Sequence, residues 1–192
     1  MIKIILINQD PTVVRQASEK LEELPFTEVT HQISDLKYGL KISQREIVDL
    51  MILCCHTLNQ DKIQLLNKHL LHYPVALLIF CREINDDLIP LAIESGITSF
   101  VVDGFEPERL DHLIHISLAR FLKQRRTENE LLKMCTSLKS HRTLECAKHT
   151  VMRTRNLNED EAYQALRETA LRENQPIETV AAQILGGIRS NI

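Results

Sequence analysis

The sequence predicts an α/β fold with a doubly wound, five-stranded parallel sheet, followed by a long coiled-coil helix and a small all-α domain of three helices. Three observations support this prediction. Short apolar runs alternate with helical patterns in the first half of the chain, which is typical of a parallel sheet covered by helices on both faces. A long charged segment then carries apolar residues at three- and four-residue steps. The last part contains three short amphipathic stretches with clear start and stop signals.

The five strands are predicted from short apolar runs between helical segments. The first run, Ile4 to Ile7, shows no alternation of apolar and polar residues, as a strand buried on both faces requires. Asp10-Pro11 then begins a helix. The predicted strands are 4–7, 27–31, 48–54, 75–80 and 99–102, and the helices between them are 11–24, 34–40, 58–73 and 86–94.

This alternation resembles the receiver domain of response regulators. In that family, phosphorylation needs an acidic pair after the first strand, an acceptor Asp after the third, a Ser or Thr after the fourth and a Lys after the fifth. The corresponding positions carry Asn8 and Gln9, Cys54, Cys81 and Asp103. The acceptor, the cation and most of the ligands for a divalent metal ion are therefore missing. We expect a pseudo-receiver that cannot be phosphorylated, with no metal ion, no cofactor and no catalytic residue.

The cysteines allow two interpretations. Cys54, at the acceptor position, could serve as a thiol sensor, and the simpler alternative is a small residue that fills the former site. The chain contains no C-x-x-C pair, which favours reduced thiols that pack as small apolar residues. The five cysteines are Cys54, Cys55, Cys81, Cys135 and Cys146.

From Pro107 the sequence predicts a long helix. Its apolar residues follow a sustained three- and four-residue track, which is the seam of a coiled coil and predicts a dimer. The alternative is an amphipathic helix that ends near Lys123, followed by a separate connector. The track consists of Ile114, Leu118, Phe121, Leu132 and Cys135, with polar Arg125 and Glu128 at its centre.

Three helices are predicted after Ser140, and each boundary has a chemical cause. Asn158 and Glu161 form a capping box that begins the second helix. The other boundary residues are Asn156 as a left-handed cap, Asn174-Gln175 as the end of the second helix, Pro176 as the start of the third helix and Gly186-Gly187 as its end. The apolar stripes are Leu144, Ala147 and Val151 on the first helix, Ala162, Leu166 and Ala170 on the second, and Val180 and Ile184 on the third.

Basic side chains surround these stripes. Between residues 139 and 155 there are five Lys or Arg residues and a single acid, Glu145, and Arg167 and Arg172 follow. Arg in particular suits bidentate contact with phosphate, so the cluster indicates a site for a polyanion. The five are Lys139, Arg142, Lys148, Arg153 and Arg155.

The same segment resembles the ANTAR domain, an RNA-binding three-helix module of transcription antiterminators. His149-Thr150 depart from the family, which usually has Gly-Ile there. The string Val101-Val102-Asp103-Gly104 also resembles the AmiR and NasT proteins, which join a degenerate receiver to an ANTAR domain. The residues that carry the ANTAR resemblance are Arg142, Ala147-Lys148, Met152, Glu161-Ala162-Tyr163, Leu166-Arg167, Ala170 and Val180-Ala181.

The resemblance implies a pseudo-receiver at 1–122, a helical dimerising linker at 107–138 and an ANTAR domain at 139–192. It implies hairpins in leader mRNA as the ligand, and an inhibitory ligand-sensing protein as a further partner in nitrogen metabolism. Tyr163 is a candidate for stacking on a loop base or, alternatively, a core aromatic, and each single cation is a contact or a solvated surface charge. The expected RNA-binding residues are Arg142, Ala147, Lys148, Arg153, Arg155, Tyr163 and Arg167.

Composition narrows the function classes. The net charge of −3 is divided unevenly, with twelve basic and seventeen acidic residues through Lys123 and eleven basic and nine acidic residues after it. An acidic module is therefore joined to a basic one, as in a regulator with a nucleic-acid end. The start of the chain leads directly into a strand, so we expect a cytoplasmic protein. A DNA-binding response regulator is the alternative, and no nucleophile or phosphate-loop motif favours an enzyme.

Overall fold

The computed structural model describes residues 1–103 and 105–189, without the side chains of residues 11, 12 and 187–189. The chain divides into two compact units, Met1–Arg125 and Arg126–Ile192. Gly104, the last residue of the string that resembles AmiR and NasT, lies outside the described residues. Within the described residues, no helix is both long and apolar enough to cross a lipid bilayer.

The first unit is a five-stranded parallel sheet with strand order β2-β1-β3-β4-β5. The predicted doubly wound fold is confirmed. The strands are β1 Ile2–Asn8, β2 Thr27–Ile33, β3 Leu50–Leu58, β4 Ala76–Ile84 and β5 Ser99–Val102, and the helices are α1 Pro11–Glu23, α2 Leu36–Ser43, α3 Gln60–His72 and α4 Ile89–Glu94.

The central strands are buried on both faces, which explains why their sequences lack alternation. Alternate residues of β1 separate into two cores: Ile5 and Ile7 pack with α2 and α3, whereas Ile4 and Leu6 pack on the other side of the sheet. On the first side, α2 lies so close to β1 that a Cβ atom on Gly39 would fall 2.7 Å from the Cδ1 atom of Ile7. Glycine is therefore the residue that allows this approach.

Two strands, β3 and β4, extend well past the ends that the sequence predicts. β3 continues to Leu58 and β4 to Ile84, because Thr57 pairs with Glu83 and Leu58 with Ile84 beyond the apolar run. The sequence signal for a buried strand fades once the side chains become polar, but the backbone pairing does not depend on side-chain polarity. Cys54 and Cys81 therefore lie inside their strands.

The predicted long helix is confirmed, and it is longer than expected. After a single 3₁₀ turn at Pro107–Arg109, α5 runs without interruption from Leu110 to Arg155, a length of 46 residues. The alternative of a helix ending near Lys123 is wrong, and so is a separate first helix after Ser140. The segment between contains no Gly or Pro, so nothing in the local sequence ends the helix.

Two further helices complete the second unit, α6 Glu159–Glu173 and α7 Ile177–Arg189. The capping box of Asn158 and Glu161 is confirmed, with both hydrogen bonds at 2.9 Å. Asn156 adopts the predicted left-handed conformation, with φ of 54°. Asn174, where the sequence predicts the end of α6, is also left-handed, with φ of 52°. The predicted end of α7 at Gly186-Gly187 is wrong, because the helix continues to Arg189. Gly costs only about 1 kcal/mol in a helix, and no Pro follows it.

The predicted apolar stripes form one core in the second unit. Ala147 and Val151 of α5 pack there with Ala162 and Leu166 of α6 and Val180 of α7. Because the buried positions are mostly alanine and valine, the three helices can approach closely. The remaining face of each helix is left to polar and charged side chains.

Candidate functional site

An internal ion pair lies at the end of β1, where the sequence analysis places a degenerate phosphorylation site. Asp10 lies just before α1 and is only 5% exposed. The Arg82 guanidinium, on β4, donates from Nε to Asp10 Oδ2 at 2.7 Å and from Nη2 to Oδ1 at 3.4 Å. The hydrogen bond to Asp10 and the attraction of its charge raise the pKa of Arg82. A fixed cation thus neutralises the carboxylate nearest the end of β1.

The other receiver positions are occupied by groups that do not suit a metal ion. Asn8 is an amide on β1 paired with Cys54 on β3. The backbone N–H of Gln9 donates to the Cys54 carbonyl at 2.7 Å, and that of Asp103 donates to the Cys81 carbonyl at 3.0 Å. Magnesium requires several carboxylate or phosphate oxygens. The Asp10 carboxylate is already paired with Arg82, and the described residues contain no group of three or more His, Cys, Asp or Glu side chains that could hold a metal ion.

The three thiols of the sheet are buried. Cys54 is fully buried, and burial, with smaller effects from Cys55 and Asp10, raises its pKa to about 12. Burial also raises the pKa of Cys81 to about 11 and that of Cys55. A thiol with such a pKa has almost no thiolate at neutral pH, so these cysteines act as packing residues rather than nucleophiles.

Most of the cations that the sequence analysis assigns to an RNA site are exposed in the second unit. Arg142, Arg153 and Arg155 of α5 and Arg167 of α6 all have exposed side chains. Tyr163 is 40% exposed. It is therefore not a core aromatic, and its ring can reach a ligand on the surface of α6.

Two other predicted residues lie below that surface. Ala147 is fully buried in the three-helix core, so its methyl group packs against neighbouring helices. Lys148 is 8% exposed, and its Nζ donates to Glu145 Oε1 at 2.8 Å and to Glu159 Oε1 at 2.7 Å. The hydrogen bonds to these two carboxylates raise the pKa of Lys148. Lys148 thus ties the first turn of α6 to α5.

A depression near the end of α5 was not anticipated from the sequence. It has a volume of about 530 Å³, and Arg153 is one of the residues that line it. Its other lining residues are His149, Thr150, Met152 and Leu157. His149 and Thr150 are the two departures from the ANTAR pattern. This departure was the only sign of the depression that the sequence analysis had noted.

The comparisons with known families decide what this second unit is. Residues 133–185 match the ANTAR domain. The second unit carries an ANTAR domain. It is an RNA-binding domain, and the exposed arginines, Tyr163 and the buried Ala147-Lys148 pair all lie within the matched residues. No curated protein matches the chain.

Solved structures resemble the first unit. The CheY-like response regulator receiver domain protein from Methanospirillum hungatei JF-1 has 15% identity and a TM-score of 0.54, covering 65% of this chain and 98% of that chain. The receiver domain of an HD domain-containing protein from Pseudomonas fluorescens Pf-5 has 23% identity and a TM-score of 0.53, covering 64% and 98%. The receiver domain of a modulated diguanylate cyclase from Desulfovibrio desulfuricans G20 has 7% identity and a TM-score of 0.54, covering 64% and 97%.

These likenesses establish the receiver fold. The chain therefore joins a receiver-like fold to an ANTAR domain, in the arrangement of AmiR- and NasT-type regulators. The protein therefore carries an RNA-binding domain after a receiver-like fold.

Proposed function

We propose that this protein is a transcription antitermination regulator that binds hairpins in nascent leader mRNA and prevents the terminator from forming. The ANTAR domain at 133–185 is the observation that carries the proposal. The resemblance to AmiR and NasT supports nitrate, nitrite or amide metabolism as the genes under control. The protein is not an enzyme in this proposal, and it acts in the cytoplasm, where nascent mRNA is made.

The proposed RNA face combines cations with an aromatic ring. The exposed side chains of Arg142, Arg153, Arg155 and Arg167 can contact phosphates or base edges. Tyr163, which is 40% exposed, can stack on an unpaired loop base. This combination suits a hairpin, whose loop bases are unstacked and accessible, better than a regular duplex.

Ala147 and Lys148 are buried beneath the proposed RNA face and stabilise the packing of α5 and α6. Ala147 keeps α5 close to α6, and Lys148 holds Glu145 and Glu159. A direct phosphate contact by Lys148 requires exchange of one carboxylate for a phosphate oxygen. The depression beside Arg153 provides space for a loop base.

In this proposal, RNA binding is regulated by contact with another protein rather than by phosphorylation. The former acceptor site holds Asp10 and Arg82 as an ion pair and Cys54 as a buried thiol. We propose that α5 forms a homodimer and that a ligand-sensing protein holds the regulator inactive until its small molecule appears. A direct response of the purified protein to nitrate or amide would contradict the need for that partner.

The test is a gel shift with a paired-hairpin leader RNA and an equal length of duplex DNA across a salt series. We expect saturable RNA binding that depends on the loop bases and weakens with salt as phosphate contacts are lost. Specific binding to the duplex instead would favour the alternative of a DNA-binding response regulator. That alternative has little support from α7, whose sequence has only Glu178 and Arg189 as charged residues.

Variants locate the face. Arg167→Ala is expected to weaken RNA binding by about 1–3 kcal/mol if the side chain makes a charged contact. Lys148→Ala is also expected to weaken binding, and Arg120→Ala, an exposed cation of α5 in the first unit, serves as the control. Unchanged affinity in both ANTAR variants would show that the RNA face lies elsewhere.

A further inference from the structure

The acidic first unit contains one segment of opposite charge. Residues 36–75, from α2 through α3, contain five Lys or Arg residues and three Asp or Glu residues, whereas the rest of residues 1–123 contains seven and fourteen. The basic residues are not scattered evenly over the receiver-like fold. Most of those in this segment lie on α2 and α3, which pack on one face of the sheet.

A groove lies between these two helices, and its rim is cationic. It has a volume of about 330 Å³, and Lys37, Lys41 and Lys68 line it together with His72. No Asp or Glu lines it. The three lysines are exposed, and none of them makes an ion pair within the part of the chain that the structure describes. By contrast, Lys20 and Arg82 of the same unit are paired with carboxylates.

The floor of the groove is apolar and held in place. Leu40, Leu65 and Tyr73 form it, and the Tyr73 ring stacks on buried His69 with the ring centroids 5.5 Å apart. The Oγ atom of Ser43 lies 2.9 Å from Nε2 of His69. This bond fixes the ring between α2 and α3, so an occupant meets a floor that is already ordered.

The two features together indicate the occupant. A free phosphate or a nucleic-acid backbone would use the lysines but would leave the apolar floor unfilled. An amphipathic helix with apolar side chains at i and i+3 or i+4, flanked by carboxylates, would fill the floor and pair with the rim. We propose that the groove between α2 and α3 is a docking site for an acidic amphipathic helix of a partner protein.

This proposal concerns the first unit alone and does not depend on RNA binding by the ANTAR domain. A partner bound here would meet a segment of net positive charge, whereas the remainder of residues 1–123 has a net negative charge. The lysines would also exclude basic partners by repulsion. Regulation of a pseudo-receiver would then proceed through occupancy of this groove. Its two walls, α2 and α3, both pack on the core that contains Ile7 and Leu53.

The test uses the full chain and fluorescein-labelled peptides of about 15–20 residues, long enough to form a helix on binding. The first peptide places leucines at i, i+3, i+4 and i+7 and glutamates on both flanks. The second has the same composition in scrambled order, and the third has lysine for glutamate. Fluorescence anisotropy should show saturable binding of the first peptide only.

Charge reversal locates the site. Lys41→Glu and Lys68→Glu should each weaken binding of the first peptide about five- to tenfold. Arg120→Glu changes the net charge equally at an exposed position of α5 and should change the affinity less than about twofold. All three positions are exposed, and circular dichroism of each variant checks that the fold is retained.

Three results would overturn the proposal. The first is no saturable binding up to about 1 mM peptide. The second is equal binding of the ordered and scrambled peptides, which would indicate attraction by net charge alone. The third is binding of an unstructured oligouridine that is lost in Lys41→Glu and Lys68→Glu, which would make the groove a nucleic-acid site. Loss of hairpin binding with intact peptide binding would refute only the antitermination proposal.

Discussion

At the scale of single residues, the ion pair of Asp10 and Arg82 explains how a buried carboxylate at the end of β1 is neutralised without a metal ion. A receiver balances its carboxylates with a divalent cation. Here the guanidinium of Arg82 provides the positive charge permanently, 2.7 Å from a carboxylate that is almost completely buried. Asp10 needs a cation because burial of an unpaired carboxylate is unfavourable. The receiver-like fold is therefore retained without its ion-binding chemistry.

Substitution of Arg82 tests this explanation. Arg82→Met should lower the midpoint of thermal unfolding by several degrees, because it leaves the buried Asp10 carboxylate without its guanidinium partner. The double variant Asp10→Asn, Arg82→Met should recover part of the loss, since the buried carboxylate charge is then removed together with its partner. Differential scanning calorimetry measures both. An unchanged midpoint in Arg82→Met would show that the pair contributes no net stability.

The buried thiols give a second prediction at this scale. With iodoacetamide at neutral pH, mass spectrometry should find alkylation of the exposed Cys135 and Cys146 and protection of Cys54, Cys55 and Cys81. Rapid modification of Cys54 in the folded protein would revive the thiol-sensor interpretation.

The pH dependence follows from the same burial. Because burial raises the pKa of Cys54 from 9.0 to about 12, the unfolded chain loses this proton first as the pH rises. The contribution of the Cys54 thiol to the free energy of unfolding is complete below pH 9.0 and is lost between pH 9.0 and about 12. Alkaline unfolding of Cys54→Ala should therefore depend less steeply on pH than that of the unmodified protein.

At the scale of helices and strands, the ANTAR domain depends on how α6 is attached to α5. The capping box of Asn158 and Glu161 begins α6 locally, whereas Lys148 joins its first turn to α5 through Glu159. The negative charge of Glu159 also lies at the positive end of the α6 dipole. Lys148 therefore holds the capped first turn of α6 against α5.

A structural role for Lys148 can be separated from RNA contact. Lys148→Met keeps the length of the side chain but removes the charge, so it should lower the thermal stability of the ANTAR domain by several degrees even without RNA. Arg167→Met, on the exposed face of α6, should leave that stability unchanged while it weakens RNA binding. Equal stability of the two variants would contradict the structural role of Lys148.

At the scale of the whole molecule, the exposed apolar residues of α5 indicate assembly. Leu131, Leu132 and Leu138 are 57%, 67% and 71% exposed, and they lie on a helix of 46 residues. Apolar side chains in such a row are normally covered by another helix. This exposure supports the proposed dimer, in which two copies of α5 cover each other.

Sedimentation of the full chain measures this association. The unmodified protein should sediment as a dimer, and Leu132→Lys should shift it toward monomer because the substitution places a charge in the helix seam. Lys133→Gln, one position away on the same helix, should leave the dimer intact. A monomer for the unmodified protein at micromolar concentration would exclude the dimer, and a dimer for Leu132→Lys would place the interface elsewhere.

Local interactions made much of this structure predictable from the sequence. Apolar runs between helical patterns determine the parallel sheet, because a strand buried on both faces must be apolar throughout. Asn156, Asn158 and Glu161 act on backbone groups within a few residues, so their caps follow from the sequence alone. The stripes of Ala147, Ala162 and Val180 likewise follow from helical periodicity.

Other features depend on residues that are far apart in the chain, and only the tertiary structure decided them. The pairing of Asp10 with Arg82 joins β4 to the start of α1 across 72 positions. The lengths of β3 and β4 depend on each other's backbone, and burial of Lys148 depends on a second helix. The groove between α2 and α3 exists because both helices pack on one face of the sheet. Sequence patterns report local geometry, whereas charge neutralisation and surface shape arise from the elements that the fold brings together.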